Sequence, residues 1–304
     1  MAASPSPATD RMGSRAGDRA SVDAALIALC DRALGDLPRE VDQAIRYSLL
    51  GEGKRLRPLL VLASYRAAGG TGDATLLAAA AEVVHAYSLV HDDLPCMDDD
   101  AVRRGRATTH MVYGAPVATL AGVAMVPLAA RAALEGAEAL GLPRPVRRAI
   151  VLELMRASGA GGMVGGQLLD LETEGRDLSV RELERIHRAK TGALIRASVR
   201  IGGMAATLHE RGMEALTRYG EAVGLAFQIA DDVLDATATT EALGKAAGRD
   251  AQRGKRTYPA LLGVEGARAR AAALAQEGSA ALASAGVRID ELAELAQYAV
   301  IRSS

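Results

Sequence analysis

The chain has 304 residues, 49% apolar and 24% charged, enough to close a sizeable core in one large domain or two small ones. Its formal net charge of −1 gives no electrostatic case for nucleic acid or an anionic membrane as partner, so strong chemistry must come from local clusters. Cys30 and Cys96 are too few for a disulfide framework and read as cytosolic thiols, and no uninterrupted apolar run of about 18 residues argues for a membrane span.

Residues 1–20 are rich in Ser, Pro, Ala, Gly and Arg without an apolar stretch, which argues for a disordered tail rather than a secretory signal. From residue 21 to 304 the pattern is helical almost throughout, dominated by Ala and Leu with only 3% aromatic residues. Helices are expected at about 22–35, 38–50, 57–68, 74–93, 115–140, 145–158, 179–207, 210–236, 256–263, 266–284 and 290–302. Gly69-Gly70, Gly141 with Pro143, Gly175 and Gly286 punctuate them, and no linker divides the body. This predicts an all-α, single-domain bundle of ten or more helices around a central cavity. Gly161, Gly162, Gly165 and Gly166 read as a close-packing or kinked region before Asp170, because no lysine-bearing phosphate loop follows them.

Two acidic clusters stand out. The apolar run TLLAAAAEVVHAYSLVH leads directly into Asp92 and Asp93; Pro95 should end the helix, and Asp98, Asp99 and Asp100 lie on the returning turn. The second cluster, DDVLD, closes the run YGEAVGLAFQIA, with Asp231 and Asp235 four residues apart on one helix face and Gln228 a turn before them. Two carboxylates about 4 Å apart repel by roughly 1–4 kcal/mol, and the helix C-terminus disfavours anions further. A solvated acidic turn explains one such cluster. Two, each ending an apolar helix, call for a compensating cation, and hard oxygen ligands point to Mg²⁺ or Ca²⁺. An EF-hand fails on spacing and on the missing central glycine. Arg103, Arg104 and Arg106 follow the first cluster, and Lys245, Lys255 and Arg256 the second. Carboxylates for metal beside such cations make a polyphosphate site.

The segments GEGKRLRPLL, HAYSLVHDDLPCMDDDAVRRGRATTH, GGQLLDL, HRAKTGALIRAS, GLAFQIADDVLD, LGKAAGRD and GKRTYPALLG, in this order, resemble the polyprenyl synthetase family. Within it they are most similar to the bacterial short-chain group of farnesyl and geranylgeranyl diphosphate synthases, from about residue 45 onward. The resemblance implies an isoprenoid-synthase-type fold and a cytoplasmic homodimeric prenyltransferase acting on isopentenyl and allylic diphosphates. It implies three Mg²⁺ per site, two held by Asp92, Asp93 and Asp98 and a third by Asp231 with Asp232 and Asp235 near. Arg103, Lys190, Thr191, Gln228, Lys245 and Lys255 would contact the allylic diphosphate or its metal waters. Lys54, Arg57, His85 and Arg104 would grip isopentenyl diphosphate.

The implied chemistry needs this inventory. Cleaving an allylic C–O bond leaves a carbocation and a highly charged diphosphate, which metal ions and cationic side chains stabilise, while apolar walls keep water from the cation. Ala101 and Val123 stand where many relatives carry Asp; Val123 puts a simple farnesyl assignment in doubt. Farnesyl diphosphate is the expected product, with geranylgeranyl diphosphate the alternative. Tyr87 and Ser88, five and four residues before Asp92, are the candidates for setting product length. A non-catalytic subunit of a heteromeric synthase would tend to lose an aspartate motif, and a terpene cyclase would lack Lys54, Arg57 and Arg104.

Overall fold

The computed structural model describes residues 7–237 and 256–301. Helices α1 (Pro7–Ala33), α2 (Arg39–Leu49), α3 (Leu56–Ala67) and α4 (Thr75–Asp92) lead into an antiparallel hairpin of β1 (Val102–Arg103) and β2 (Arg106–Ala107). Then come α5 (Thr109–Tyr113), α6 (Ala115–Ala139), α7 (Arg144–Ser158), α8 (Met163–Glu172) and α9 (Val180–His187). A π-helical turn over Arg188–Gly192 precedes α10 (Ala193–Ala205) and α11 (Glu210–Thr237), and α12 (Tyr258–Ser284) and α13 (Asp290–Val300) complete the described chain.

The helical expectation holds, and besides the short hairpin and α5, which were not expected, it differs in four places. Helix α1 already begins at Pro7, inside the segment whose composition argues for a tail. It is tied down by charge: Asp18 pairs with Arg66 of α3 at 2.8 Å, and Arg15 with Glu294 of α13 at 3.3 Å. The glycine-rich segment forms α8. The span expected as one helix over 179–207 is interrupted by the π turn, and the two expected at 256–284 join across Gly263, whose φ of 72° keeps the break.

Helix α4 is the axis of the bundle. Leu77, Ala80, Val83, Val84, Tyr87 and Val90 are all buried, as a helix apolar on every side must be. It packs against α1, α2, α3 and α6. By length and composition α6 meets the requirement for a membrane span, contrary to the sequence expectation. One face of it, with Ala118, Ala121, Met125, Ala129 and Ala132, is buried in the protein, while Leu120 and Val123 on another face are exposed. Leu26, Ile45, Leu77, Met125, Leu154 and Leu194 belong to one core; Leu60, Ile195, Tyr219 and Leu292 belong to another. Helices α3 and α10 form the seam, since neighbours such as Leu194 and Ile195 face opposite cores. The aspartate-bearing end of α4 packs through Val90 and Leu94 with Ala118, and that of α11 through Ile229 and Val233 in a cluster with Leu183, Tyr258 and Leu274.

Candidate active site

The first aspartate loop is a tight return. Leu94 N–H donates to His91 O at 3.1 Å, Met97 N–H to Leu94 O at 2.9 Å, and Asp98 N–H to Asp92 O at 2.8 Å. Asp99 adopts φ 49°, the left-handed turn that brings the chain back. Asp98 is thereby seated beside Asp92. Burial, with Asp98 and Asp93 adding to it, pushes the Asp92 carboxyl up to about 6 against the opposing charges of Lys190 and Arg103. An acidic group destabilised in this way has a ready use for a cation.

The hairpin that follows separates two adjacent arginines. Its two-residue turn, Arg104 at φ 54° and Gly105 at φ 72°, has both central residues left-handed, as a type I′ turn requires. Arg103, on the strand, reaches Asp93 Oδ1 at 2.6 Å and Asp100 Oδ2 at 3.3 Å. Arg104, at the tip, donates from Nη1 to Glu52 O at 2.9 Å on the loop between α2 and α3. Lys54 lies on that loop, and Arg57 follows in the first turn of α3. The Arg57 guanidinium is buried, 6.0 Å from the centre of the Phe227 ring. His85 of α4 is pushed well below the usual imidazole range by burial and by Arg57, Arg104, Arg103 and Arg55, so it stays neutral.

Consecutive residues of the π turn reach both acidic clusters. Lys190 Nζ sits 2.6 Å from Asp170 Oδ2 of α8. Burial opposes its charge, but Asp170, Asp92 and Asp98 outweigh that and hold the ammonium above its ordinary range. The Thr191 hydroxyl donates to Gln228 Oε1 at 2.8 Å, and Gln228 Nε2 donates to Asp232 Oδ1 at 3.1 Å. Two glycines let neighbouring helices reach this backbone. A Cβ on Gly166 of α8 would stand 2.2 Å from Lys190 N, and one on Gly224 of α11 would stand 2.8 Å from Gly192 Cα. The close-packing reading thus holds for Gly166 of α8, whereas a Cβ on Gly162 or Gly165 would meet the carbonyls of Ala157 and Ala160 just before them and one on Gly161 would meet nothing within 4 Å.

Two aspartates stand differently from the metal-ligand expectation. Asp93 is engaged by Arg103. Asp232, which is buried, receives three protein donors: Gln228 Nε2, His187 Nε2 at 3.3 Å and the Tyr258 backbone N–H at 3.1 Å. A carboxylate acceptor requires His187 Nε2 to carry its proton. Tyr258 stacks on His187 with ring centres 5.8 Å apart and donates its hydroxyl to Glu184 Oε1 at 2.9 Å. Asp232 is thus built into the protein, whereas Asp231 on the same helix is partly exposed. Asp235, one turn on, is buried. No group of three or more His, Cys, Asp or Glu side chains converges as a ready metal cage among the described residues.

Asp170, Gln167 and His187 escaped the sequence reading. Asp170 and Gln167 sit in the quoted GGQLLDL stretch, and His187 opens HRAKTGALIRAS, but only contacts reveal their roles. Among the described residues the buried Gln167 amide, beside the Lys190 turn, has no hydrogen-bond partner for its nitrogen or oxygen, which suits a place where a polar ligand group is wanted. Lys245 and Lys255 lie outside the described residues.

Residues 38–287 match the profile of the polyprenyl synthetase family. The chain is 46% identical over 268 residues to the farnesyl diphosphate synthase of Escherichia coli K12, covering 86% of this chain and 89% of that protein. It is 44% identical over 244 residues to geranylgeranyl pyrophosphate synthase 9, chloroplastic, of Arabidopsis thaliana, covering 79% and 68%. Among solved structures it resembles an FPP/GFPP synthase from Zymomonas mobilis, with a TM-score of 0.83, 35% identity and coverage of 95% and 100%. It also resembles a geranyltransferase from Helicobacter pylori complexed with magnesium and isoprenyl diphosphate, with a TM-score of 0.80, 28% identity and coverage of 98% of both chains. The chain belongs to the polyprenyl synthetase family. Its class of activity is prenyl transfer.

Proposed function

We propose that the enzyme condenses isopentenyl diphosphate with dimethylallyl and then geranyl diphosphate, giving farnesyl diphosphate. The observation that carries this reading is the π turn, whose adjacent Lys190 and Thr191 connect the first aspartate cluster to the second. A diphosphate between the clusters would meet Lys190, Arg103, Gln167 and the Thr191–Gln228 pair, with Lys245 and Lys255 as further contacts. Asp92 and Asp98 on one side and Asp231 with Asp235 on the other would hold Mg²⁺, three ions per site. Asp93 and Asp232 serve by fixing Arg103 and the His187–Gln228 network. When bound, the ions would neutralise charge developing on the departing diphosphate.

The second substrate belongs on the other side of the hairpin. Lys54, Arg57 and Arg104 supply cations for isopentenyl diphosphate, and neutral His85 can donate one hydrogen bond without adding charge. The isopentenyl double bond attacks the allylic carbocation, and a departing-diphosphate oxygen takes the proton then lost. Buried Val84, Tyr87 and Val90 on α4 contribute an apolar wall that keeps water from the cation.

The chain is nearly as similar to a geranylgeranyl synthase as to a farnesyl synthase, 44% against 46%, so the longer product is the second reading. We further place the enzyme in the cytoplasm, in keeping with two free thiols, and as a homodimer through α5 and α6, where Met111, Val112, Leu120 and Val123 are exposed. Mass analysis of products from dimethylallyl and isopentenyl diphosphates tests the reading: a fifteen-carbon product that disappears in excess EDTA is expected. Undiminished turnover in EDTA would refute the metal assignment, and a twenty-carbon product would select the second reading.

A further inference from the structure

The loop carrying Lys54 is held by a buried ionic arrangement that the proposed chemistry does not use directly. Arg55, the residue before α3, adopts the left-handed conformation, φ 50° and ψ 32°, uncommon for a non-glycine residue. Its guanidinium is buried and makes three bonds in three directions. Nε donates to Asp23 Oδ1 of α1 at 2.8 Å, Nη1 to Glu82 Oε1 of α4 at 2.9 Å, and Nη2 to Gly51 O of its own loop at 2.8 Å. Glu82 is only 3% exposed and lies three residues before His85, on the same face of α4.

The loop is gripped from its other side as well. Arg104 holds Glu52 O, and Gly53 passes between the two guanidiniums: a Cβ there would stand 2.9 Å from Arg104 Nη1 and 3.2 Å from Arg55 Nη1. Lys54 therefore lies two residues beyond a backbone pinned at Gly51 and Glu52. Arg57 is the second residue of the helix that Arg55 immediately precedes. A left-handed conformation is unfavourable for a residue with a side chain, and a buried ion pair is often no more stabilising than apolar residues of similar volume. Packing alone does not call for this arrangement. Its geometric consequence is the fixed placement of Lys54 and Arg57 relative to His85.

We propose that Asp23, Arg55 and Glu82 form an ionic clamp that positions Lys54 and Arg57 for isopentenyl diphosphate, so that α1, which precedes the family-matched span of 38–287, supports the substrate site. The clamp rests on the reading that Lys54 and Arg57 bind this diphosphate. Asp23 is its accessible member, 49% exposed, and removing its charge leaves the Arg55–Glu82 pair intact.

Steady-state kinetics on Asp23→Asn, Arg57→Ala and the double variant Arg55→Met/Glu82→Leu test it. Asp23→Asn should raise KM for isopentenyl diphosphate about 5- to 20-fold, with kcat and the allylic KM within about twofold. The double variant removes both buried charges together, so it should keep its Tm and show at least the same selective loss. Isopentenyl KM within about twofold of wild type in Asp23→Asn, or equal loss of both substrates, overturns the clamp. If Arg57→Ala still weakens isopentenyl diphosphate in that case, the substrate site stands and only the clamp falls. If Arg57→Ala leaves that KM unchanged, the site assignment fails and the clamp with it.

Discussion

Lys190 Nζ lies 2.6 Å from Asp170 Oδ2, so the ammonium that feels Asp92 and Asp98 is anchored from behind by a third carboxylate on α8. Without that anchor a long, flexible lysine has little to hold its head between the clusters. The pair also fixes the π turn to α8, and a π-helical turn inside a helix frequently marks a functional site.

Asp170→Asn keeps the shape of this partner and removes its charge. Losing one charge-assisted contact typically costs roughly 1.5–3 kcal/mol, or about 10- to 150-fold. The loss should appear in kcat/KM for the allylic substrate, with the isopentenyl KM within about twofold. Initial-rate measurements varying each substrate in turn check this; an equal effect on both would show that Asp170 serves the fold and not the lysine.

Gly166→Ala should destabilise the protein where Gly161→Ala does not. The added methyl at residue 166 meets Lys190 N at 2.2 Å, while nothing lies within 4 Å at residue 161. Overpacking against backbone typically costs about 1–3 kcal/mol. Urea unfolding of the two variants side by side measures the contrast, and similar midpoints would remove the close-approach explanation.

Most of the helices were legible because each carries its own period and punctuation. Thr75–Asp92 and Ala115–Ala139 fall within two residues of their expected ends. What was not legible depended on contacts distant in sequence. Helix α8 was hidden because its glycines lower helix propensity while serving close approach to Lys190. The hairpin VRRGRA was missed because Arg104 takes a left-handed turn position more often given to Gly or Asn. The aspartates were visible as clusters, and spacing put Asp231 with Asp235 on one helix face, but nothing in DDVLD shows that Asp232 is held by protein donors. Those donors include His187 and Tyr258, which are 45 and 26 residues away in sequence.

Asp92 should trade stability for function. In the folded, metal-free protein its carboxyl takes up a proton near pH 6, against an ordinary value of 3.8, mainly because of burial. The folded state therefore binds that proton more tightly than the unfolded chain. The resulting penalty is full above about pH 6 and fades as pH falls towards 4. A shift of about two units corresponds to roughly 1–3 kcal/mol. Asp92→Asn should abolish turnover yet raise Tm in EDTA at pH 7.5, with the gain shrinking at pH 4.5. A Tm that falls at pH 7.5 would contradict the burial penalty.

Arg103 and Arg104 should divide the two substrates. Arg103 points to Asp93 and Asp100, and Arg104 to the loop of Lys54. Arg103→Ala should weaken the allylic substrate about 10- to 150-fold, and Arg104→Ala should do the same to isopentenyl diphosphate. Separate KM values for each variant decide this, and matched effects on both substrates would refute the division.

Product length should depend on Tyr87. Residues five and four before Asp92 lie about 7.5 and 6 Å down α4, and they are Tyr87 and Ser88. The Ser88 hydroxyl is turned back onto His85 O at 2.8 Å and leaves nothing to block a growing chain. Tyr87 does not share the Asp92 face on an ideal wheel, yet its buried ring spans to the end of α7. Its hydroxyl donates to Ser158 O at 3.1 Å, and its ring meets His91 edge-on at 5.7 Å. Burial, with the Asp92 charge adding to it, pushes the phenol up to about 12, so the ring is within electrostatic reach of the aspartate. A ring held at both ends is suited to act as a floor. Tyr87→Ala should lengthen the dominant product by at least one five-carbon unit. Tyr87→Phe, which keeps the ring and loses only the bond to Ser158, should leave the product unchanged. Mass analysis of the dephosphorylated alcohols reads both variants. An unaltered distribution in an active Tyr87→Ala enzyme would place the floor on another helix.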